Sequence, residues 1–155
     1  MLDVPGCPNE ATVRFLDDQR MVMLLRRECG NARGWIGVSR PPYERWQWRE
    51  IGMRLGGPNF VVSPDGAWWA ATRLYSASIA EPDKPAARTV LARMTEDRIE
   101  PVLELPSGGD TSYAGMVLHD GLLWMSYYSS HEGSAGVYLA KIRFDEPPPS
   151  SIKEP

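Results

Sequence analysis

Charged, polar and aromatic side chains recur at similar positions along this 155-residue sequence, six to eight residues from an aspartate predicted to form a turn. Counting eight residues forward from these aspartates reaches two arginines and a tyrosine, and counting eight back from the first reaches a glutamate. Guanidinium groups bind a carboxylate or sulfate in bidentate fashion, so two arginines at the same repeat position favour an anion-binding site. The spacing therefore predicts one polar cluster of Glu10, Arg26, Arg73 and Tyr113, with Asn59 and Tyr128 as further candidate substrate-binding residues.

Hairpins must bring these side chains together. Each of the three aspartates, Asp18, Asp65 and Asp120, lies between two apolar, strand-like runs, and the second and third are followed by glycine. Asp-Gly between such runs is a strong hairpin signal, because glycine accepts the positive φ that a tight turn requires. A hairpin folds the positions before and after its turn beside each other. The neighbours expected are Glu10 with Arg26, Asn59 with Arg73, and Tyr113 with Tyr128.

The hairpins belong to a longer repeat. A third apolar run follows each hairpin, and a fourth follows in the first two repeats. Four short strands in about 40–50 residues are typical of a β-propeller blade. We predict an all-β partial propeller over residues 1–144, built of about three four-stranded antiparallel blades at about 10–52, 57–106 and 111–144. A plain antiparallel sandwich spaces its strands similarly and stays the alternative.

The end of the sequence differs from the repeats. The third blade lacks an obvious fourth strand, and residues 145–155 are rich in proline, which has no N–H for pairing in a sheet interior. We expect these residues to form an extended or disordered tail. Because the first strands of a propeller line its central channel, the polar cluster is expected at one rim of that channel. Two guanidiniums facing one cavity repel each other, so an anion between them is expected.

Several assignments stay open at this stage. Arg27 could point into the cluster in place of Arg26, and Tyr127 or Tyr128 could take the place of Tyr113.

Other polar and aromatic residues could have either a binding role or a purely structural one. Trp46 and Trp48 could form a sugar-stacking surface, although a spacing of two residues favours packing between blades. His131 is expected in a solvated rim loop.

Composition excludes several classes of function. The net charge of −3 gives no excess of positive charge with which to bind nucleic acid or an acidic membrane. The longest apolar run, Met21–Leu25, is far too short to span a bilayer. Cys7 and Cys29 cannot make a disulfide framework and are expected to be structural, buried thiols; no zinc spacing is present. We predict no metal and no cofactor. With no signal peptide or membrane segment, the compartment is left undetermined.

The residues also resemble a known family. Residues 10–26, with a Glu opening a strand, a turn and an Arg ending the next strand, resemble the pattern of sialidases (neuraminidases). Residues 109–117, 123–133 and 137–142 resemble the C-terminal blade of bacterial sialidase-like proteins with BNR or Asp-box repeats. The resemblance extends over roughly residues 9–144 and implies the C-terminal half of a six-bladed propeller that hydrolyses sialic acid glycosides.

The resemblance also implies roles for single residues. Tyr113 would be the nucleophile, Glu10 its partner, and Arg26 and Arg73 two of the three arginines that hold the substrate carboxylate. The first arginine and the acid/base aspartate of the family belong to blades that this chain does not contain. The Asp-box is reduced to Ser39 and Trp46, without its Asp and Gly.

Three functions compete at this point. The chain is a sialidase-like glycoside hydrolase, incomplete on its own, or a non-catalytic carbohydrate- or protein-binding scaffold, or a propeller piece with no retained function. An anionic, sialic-acid-like sugar is the expected ligand. A homodimer that completes a six-bladed ring is the expected assembly.

Overall fold

The computed structural model describes residues 2–75 and 87–144, and within these ranges the chain is entirely β-structure and turns. Eleven strands confirm the all-β prediction. The predicted tail, residues 145–155, lies outside the described residues. The strands are β1 (Pro8–Phe15), β2 (Met21–Arg27), β3 (Arg33–Ser39), β4 (Trp46–Arg54), β5 (Asn59–Val62), β6 (Trp68–Leu74), β7 (Arg88–Met94), β8 (Ile99–Glu104), β9 (Ser112–His119), β10 (Leu122–Ser129) and β11 (Gly136–Arg143).

Three antiparallel sheets follow one another along the chain, each made of consecutive strands. Sheet 1 has the order β1-β2-β3-β4, sheet 2 the order β5-β6-β7-β8, and sheet 3 contains β9, β10 and β11 with β10 in the middle. Every neighbouring pair in these sheets is antiparallel. Each sheet is therefore a meander of hairpins, as the repeat of turn signals predicts.

The predicted turn aspartates stabilise the first hairpin of sheets 1 and 2 through their side chains. Asp18 accepts a hydrogen bond from the backbone N–H of Arg20, and Asp65 accepts the equivalent bond from Ala67. Asp120 works differently, because it adopts a φ of 50° and Gly121 a φ of 71°. Positive φ at both central residues is the geometry of a tight two-residue hairpin, which Asp-Gly favours.

Sheet 2 is covered on both faces. Ala70, Ala92 and Met94 face sheet 1 and join a core with Leu24 and Ile36. Their neighbours along the strands, Ala71 and Leu91, face the opposite way into a second core with sheet 3. Successive residues of a strand point to opposite faces, so β6 and β7 supply both cores at once.

Within the described part of the chain, no other sheet covers the second face of sheet 1 or of sheet 3. On sheet 1, the uncovered side carries Phe15, Met23 and Trp48, since the residues alternating with them enter the core against sheet 2. On sheet 3, the uncovered side carries Val137 and Leu139, with 83% and 62% of their surfaces exposed.

Cys7 and Cys29 form a disulfide, which corrects the expectation of buried thiols. Pro8 pairs with Arg27 at the open end of the β1–β2 hairpin, and this register brings the two flanking cysteines together. The N–H of Cys29 donates to the carbonyl of Gly6. A separation of 22 residues carries no pairing signal by itself, so the bond becomes visible only through the register.

None of the described residues forms a helix that is long and apolar enough to cross a membrane.

Candidate functional site

The first strands of the three sheets lie side by side and are joined by side chains. Thr12 on β1 donates to the carbonyl of Pro58, at 2.8 Å, and Arg14 donates to Asn59 Oδ1 on β5, at 2.9 Å. The Asn59 amide group in turn donates to the carbonyl of Ala114 on β9, at 2.8 Å. Asn59 is thus a structural bridge between all three sheets, and both ends of its amide are occupied.

Glu10 lies at the centre of the polar cluster. One carboxylate oxygen, Oε1, accepts hydrogen bonds from Arg26 Nη1 at 2.5 Å and from the Tyr113 hydroxyl at 2.7 Å. The other oxygen, Oε2, accepts the backbone N–H of Gly57 at 2.7 Å. One side chain of sheet 1 therefore contacts sheet 3 and the segment that enters sheet 2. The predicted pairing of Glu10 with Arg26 is observed in the strand register.

Arg26 is held by two carboxylates. In addition to Glu10, it forms an ion pair with Glu28, and Glu28 also accepts a hydrogen bond from Arg54 at 2.6 Å. Burial acts to raise the pKa of Glu28, but the hydrogen bond from Arg54 and the charge of Arg26 outweigh it and hold that pKa below its usual range. The Nε of Arg26 is buried and has no hydrogen-bond partner among the described residues.

Arg73 joins sheet 2 to the entrance of sheet 3. Its Nε donates to the carbonyl of Thr111 at 2.6 Å, and its Nη2 donates to Asp110 at 2.8 Å and to the Tyr128 hydroxyl at 2.9 Å. The ring of Tyr75 lies below the guanidinium, 5.6 Å away. Four of the five N–H donors of Arg73 are therefore engaged, counting the 3.4 Å bond from Nη1 to the Tyr75 hydroxyl, and Asp110 is its charged and largely exposed partner among the described residues.

Tyr113 has an unusual backbone conformation. Its φ is 53°, in the left-handed region that bulky residues avoid, and it lies where the β9–β10 register shifts by one residue. The side chain is 59% exposed, and its ring stacks on that of Tyr128 with the centroids 6.0 Å apart. The bulge turns Tyr113 away from regular alternation and toward Glu10. Backbone strain of this kind concentrates at functional sites.

Both tyrosines of this stack have perturbed proton affinities. The hydrogen bond to Glu10, together with the charge of that carboxylate, raises the pKa of Tyr113. Burial and the hydrogen bond to Asp110 raise the pKa of Tyr128 to about 12. Both phenols are neutral hydrogen-bond donors at neutral pH.

The cluster balances its own charge. Arg26, Arg54 and Arg73 are matched by three carboxylates, Glu10, Glu28 and Asp110. The expectation that two arginines require an anionic ligand between them is therefore weakened, because the protein's own carboxylates already relieve the repulsion. An incoming anion has to displace one of them.

The structure decides several alternatives that the sequence left open. Arg27 points away from the cluster, donates to the carbonyl of Pro5 and lies 4.4 Å over the ring of Trp35. Tyr127 is 4% exposed and faces the core between sheets 2 and 3. Arg26 and Tyr113 are thus the members that reach Glu10.

Two expectations of position need correction. Asn59 does not lie opposite Arg73, because its partner in the β5–β6 register is Ala71, and Arg73 instead bonds to Gly56. Trp46 and Trp48 stack on each other with the centroids 5.2 Å apart, on the side of sheet 1 that sheet 2 does not cover. They therefore do not pack between the described sheets.

Sequence reasoning missed Glu28, Arg54 and Tyr75 altogether, and it did not include Asp110 in the cluster. Each of these lies at or just beyond a strand end, where no periodicity marks it. The one available signal was adjacency: Glu28 follows Arg26 by two residues, and Tyr75 follows Arg73 by two.

Comparisons with known proteins show the fold alone. No protein-family model and no curated protein matches the sequence. A solved structure of a Bacteroides thetaiotaomicron protein named endo-1,4-beta-xylanase is similar, with a TM-score of 0.62 and 12% identity over 91% of this chain and 54% of that one. A Dyadobacter fermentans protein of unknown function has a TM-score of 0.65 and 19% identity, over 87% of this chain and 38% of that one. This chain thus spans about half, or less, of either neighbour.

Proposed function

We propose that the cluster around Glu10 and Tyr113 is a sialidase-like site that binds an anionic sugar and is catalytically incomplete in this chain alone. The observation that carries the proposal is the 2.7 Å hydrogen bond between the exposed Tyr113 hydroxyl and Glu10. A tyrosine beside a carboxylate is the arrangement of an assisted phenol nucleophile, which the sialidase exception to two-carboxylate catalysis uses. Arg26 and Arg73 flank the pair.

The proposal includes a propeller architecture, with the three sheets as successive blades. Their first strands lie side by side, linked through Asn59, and sheet 2 is packed between the other two. Blades arranged around a channel have this relationship, whereas a two-layer sandwich has no sheet that is covered on both faces. The similarity to a protein named as a xylanase supports a glycan as the ligand class.

The chemistry assigned to the pair balances as follows. The Tyr113 oxygen forms a bond to the anomeric carbon while the glycosidic C–O bond breaks, and Glu10 accepts the phenol proton. The leaving oxygen keeps the bonding electrons and needs a proton from an acid. Glu28 is a poor donor, because its pKa is held below the usual carboxyl range. Water then attacks the same carbon and passes one proton to the conjugate base of that acid, while the released Tyr113 oxygen recovers its proton from Glu10.

The missing acid defines the expected activity. General acid–base help is worth roughly 10²–10⁴-fold, so turnover of an unactivated sialoside by this chain is expected to be slow or absent. Binding survives this loss, because it depends on the arginines. In the proposed complex the sugar carboxylate takes the place of Asp110 on Arg73, since Asp110 is the exposed partner, with 69% of its side chain accessible.

Ligand-observed NMR with a sialyl oligosaccharide tests the proposal. The unmodified chain is expected to bind, and Arg73→Met to lose binding. Arg98→Met is the matched control, because Arg98 is 64% exposed and lies at a turn at the opposite end of sheet 2. Binding of a neutral xylo-oligosaccharide that is unaffected by Arg73→Met, with no binding of the sialoside, would contradict an anion-directed site.

A non-catalytic binding module is the second candidate. The observation in its favour is that four of the five N–H donors of Arg73 are already engaged within the protein. An activated fluorosugar of the sialic acid class separates the two functions, because it traps a covalent intermediate on a nucleophile. A mass increment located on Tyr113 supports the hydrolase. Binding without any increment, even with an activated leaving group, supports the module.

A further inference from the structure

The three sheets stack in a consistent direction. Sheet 1 presents one face to sheet 2, sheet 2 presents its opposite face to sheet 3, and the two cores form between these unlike faces. Two faces are left without a described partner, the far side of sheet 1 and the far side of sheet 3. The far side of sheet 1 corresponds to the side of sheet 2 that faces sheet 1, and the far side of sheet 3 corresponds to the side of sheet 2 that faces sheet 3. The two free faces are therefore the same kind of pair that packs between sheets 1 and 2 and again between sheets 2 and 3.

Both remaining faces carry exposed apolar side chains, and the far side of sheet 3 also carries Lys141 and Arg143. The far side of sheet 1, here the front face, carries Phe15, Met23 and Trp48, and Phe15 is 62% exposed. The far side of sheet 3, here the back face, carries Val117 and Leu139, which are 57% and 62% exposed. Contiguous apolar patches of this size mark interaction surfaces.

Each remaining face also contains an unmet polar group. The indole N–H groups of Trp35 and Trp46, on the front face, and of Trp124, on the back face, are buried and have no acceptor among the described residues. Atoms of this chain already cover these N–H groups, so they add no accessible donor to either face.

We propose that the front face of one chain packs on the back face of a second copy, and that two such contacts close a two-fold ring. Because every chain carries both kinds of face, a second copy offers the matching partner twice. A head-to-tail contact between unlike faces gives a closed ring when the rotation closes, and two chains are the smallest such ring.

The available area is sufficient. With strands about 4.8 Å apart and about 3.3 Å per residue, one face of three or four strands covers roughly 400 Å². Four faces in two contacts then bury about 1,600 Å², which is the size of a standard stable interface. Leu2 and Val4 cover only the Leu25 end of the front face, next to β1.

Closure would complete the site. This proposal of a completed site rests on the propeller architecture of the proposed function, in which β1, β5 and β9 line a channel. The ring brings two clusters, each with Glu10, Arg26, Arg73 and Tyr113, to one channel mouth. The second copy then supplies the polar wall on the side of the channel that the three described sheets of one chain do not reach.

Three lysine substitutions test the interface by sedimentation or light scattering across a concentration series. The unmodified chain is expected at twice the 17.4 kDa of one chain. Phe15→Lys on the front face and Val137→Lys on the back face are each expected to give monomers, because each variant breaks both contacts of the ring. Val102→Lys is the matched control, since Val102 is a 53% exposed strand valine outside both faces.

A mixture of the Phe15→Lys and Val137→Lys variants tests the interface more specifically. One of the two contacts in a mixed pair joins two unmodified faces, so partial dimer formation is expected only in the mixture. A mass of one chain at every concentration overturns the proposal, and so does a dimer that survives Phe15→Lys, or a mass that grows without limit. Sialoside binding by Arg73 is measured separately, so a monomer that binds the sugar overturns the ring and leaves the site intact.

Discussion

The Tyr113 hydroxyl and the Glu10 carboxylate are joined by a 2.7 Å hydrogen bond although they lie 103 residues apart in the sequence. The bond passes from sheet 3 to sheet 1, beside the Gly57 N–H that Glu10 also binds. Its geometry depends on the left-handed φ of Tyr113 and on the packing of all three sheets. Changes at either residue, or at the glycine between them, are therefore expected to report on the same cluster.

Removal of the Glu10 charge is expected to lower the pKa of Tyr113. Glu10 raises that pKa through its hydrogen bond and its charge, so Glu10→Gln should move it back toward the ordinary value of about 10. A raised folded-state pKa contributes stability below the unfolded pKa, and this contribution disappears as pH rises through the folded pKa. The Cζ shift of labelled tyrosine, followed by NMR from pH 8 to 12, measures the change.

Tyr128 is the internal control for that titration. Its pKa is raised by burial and by Asp110, and Glu10 is not among the causes. An equal downward shift of both tyrosines in Glu10→Gln would indicate a general loosening of the site, and no shift of Tyr113 would contradict the hydrogen bond.

Gly57→Ala is expected to displace Tyr113. Gly57 has a φ of 54°, and a Cβ there would overlap Ser112 Oγ and lie 2.8 Å from the Tyr113 nitrogen. The left-handed conformation costs about 1–2 kcal/mol and overpacking about 1–3 kcal/mol more. Gly66→Ala, with a φ of 81° and open space around its Cβ, should cost the first amount only. Urea unfolding measures both, and equal losses would contradict the close approach.

Asp110→Asn is expected to strengthen the binding of a carboxylated sugar. The change removes the negative charge that occupies Arg73, and an exposed ion pair is worth at most about 1 kcal/mol, so the gain should be about fivefold or less. The same variant should lower the pKa of Tyr128, because Asp110 helps to raise it.

Calorimetric titration, with Asp97→Asn as the control, measures the affinity. Asp97 is an aspartate bonded to Thr95 at a turn at the other end of sheet 2. Weaker binding in Asp110→Asn would instead make Asp110 a residue that positions Arg73.

Loss of the Cys7–Cys29 disulfide is expected to destabilise the fold by about 3 kcal/mol, the value for a loop of this order, with its 22-residue separation. The double variant Cys7→Ser/Cys29→Ser should show the same loss of unfolding free energy as the unmodified chain under dithiothreitol. A reducing agent should have no effect on the double variant. Unchanged stability in both cases would mean that the hairpin register alone holds this end of sheet 1.

The sequence predicted the strands and their pairing where a turn residue and an apolar periodicity indicate the same hairpin. Turn aspartates followed by alternating apolar runs predicted the hairpins, and counting from Asp18 placed Glu10 opposite Arg26 in the observed register. The same count about Asp65 gives Asn59 the partner Ala71, six residues on each side of the turn, and this is the observed register. The pairing of Asn59 with Arg73 was wrong because Arg73 lies eight residues from the turn and Asn59 only six.

Other features depend on three-dimensional context. The bulge that places Tyr113 in a left-handed conformation has no signature in the sequence, since Tyr is a poor residue for that φ. The balance of arginines by Glu28 and Asp110 also required coordinates, because these carboxylates come from strand ends and loops. Sequence spacing predicted which groups meet, and the structure shows which of their hydrogen-bonding positions are already occupied.

The burial of sheet 2 on both faces sets the order in which the chain opens to solvent. Amide protons of β6 and β7 lie in paired central strands most of whose residues are buried, whereas β11 alternates between half-buried and exposed positions at the edge of sheet 3. Exchange with deuterium through local openings should therefore be fastest in β11, and β6 and β7 should exchange only with global unfolding. Any cleavage or insertion meant to leave the molecule folded is best tolerated in sheet 3 and worst in the middle sheet.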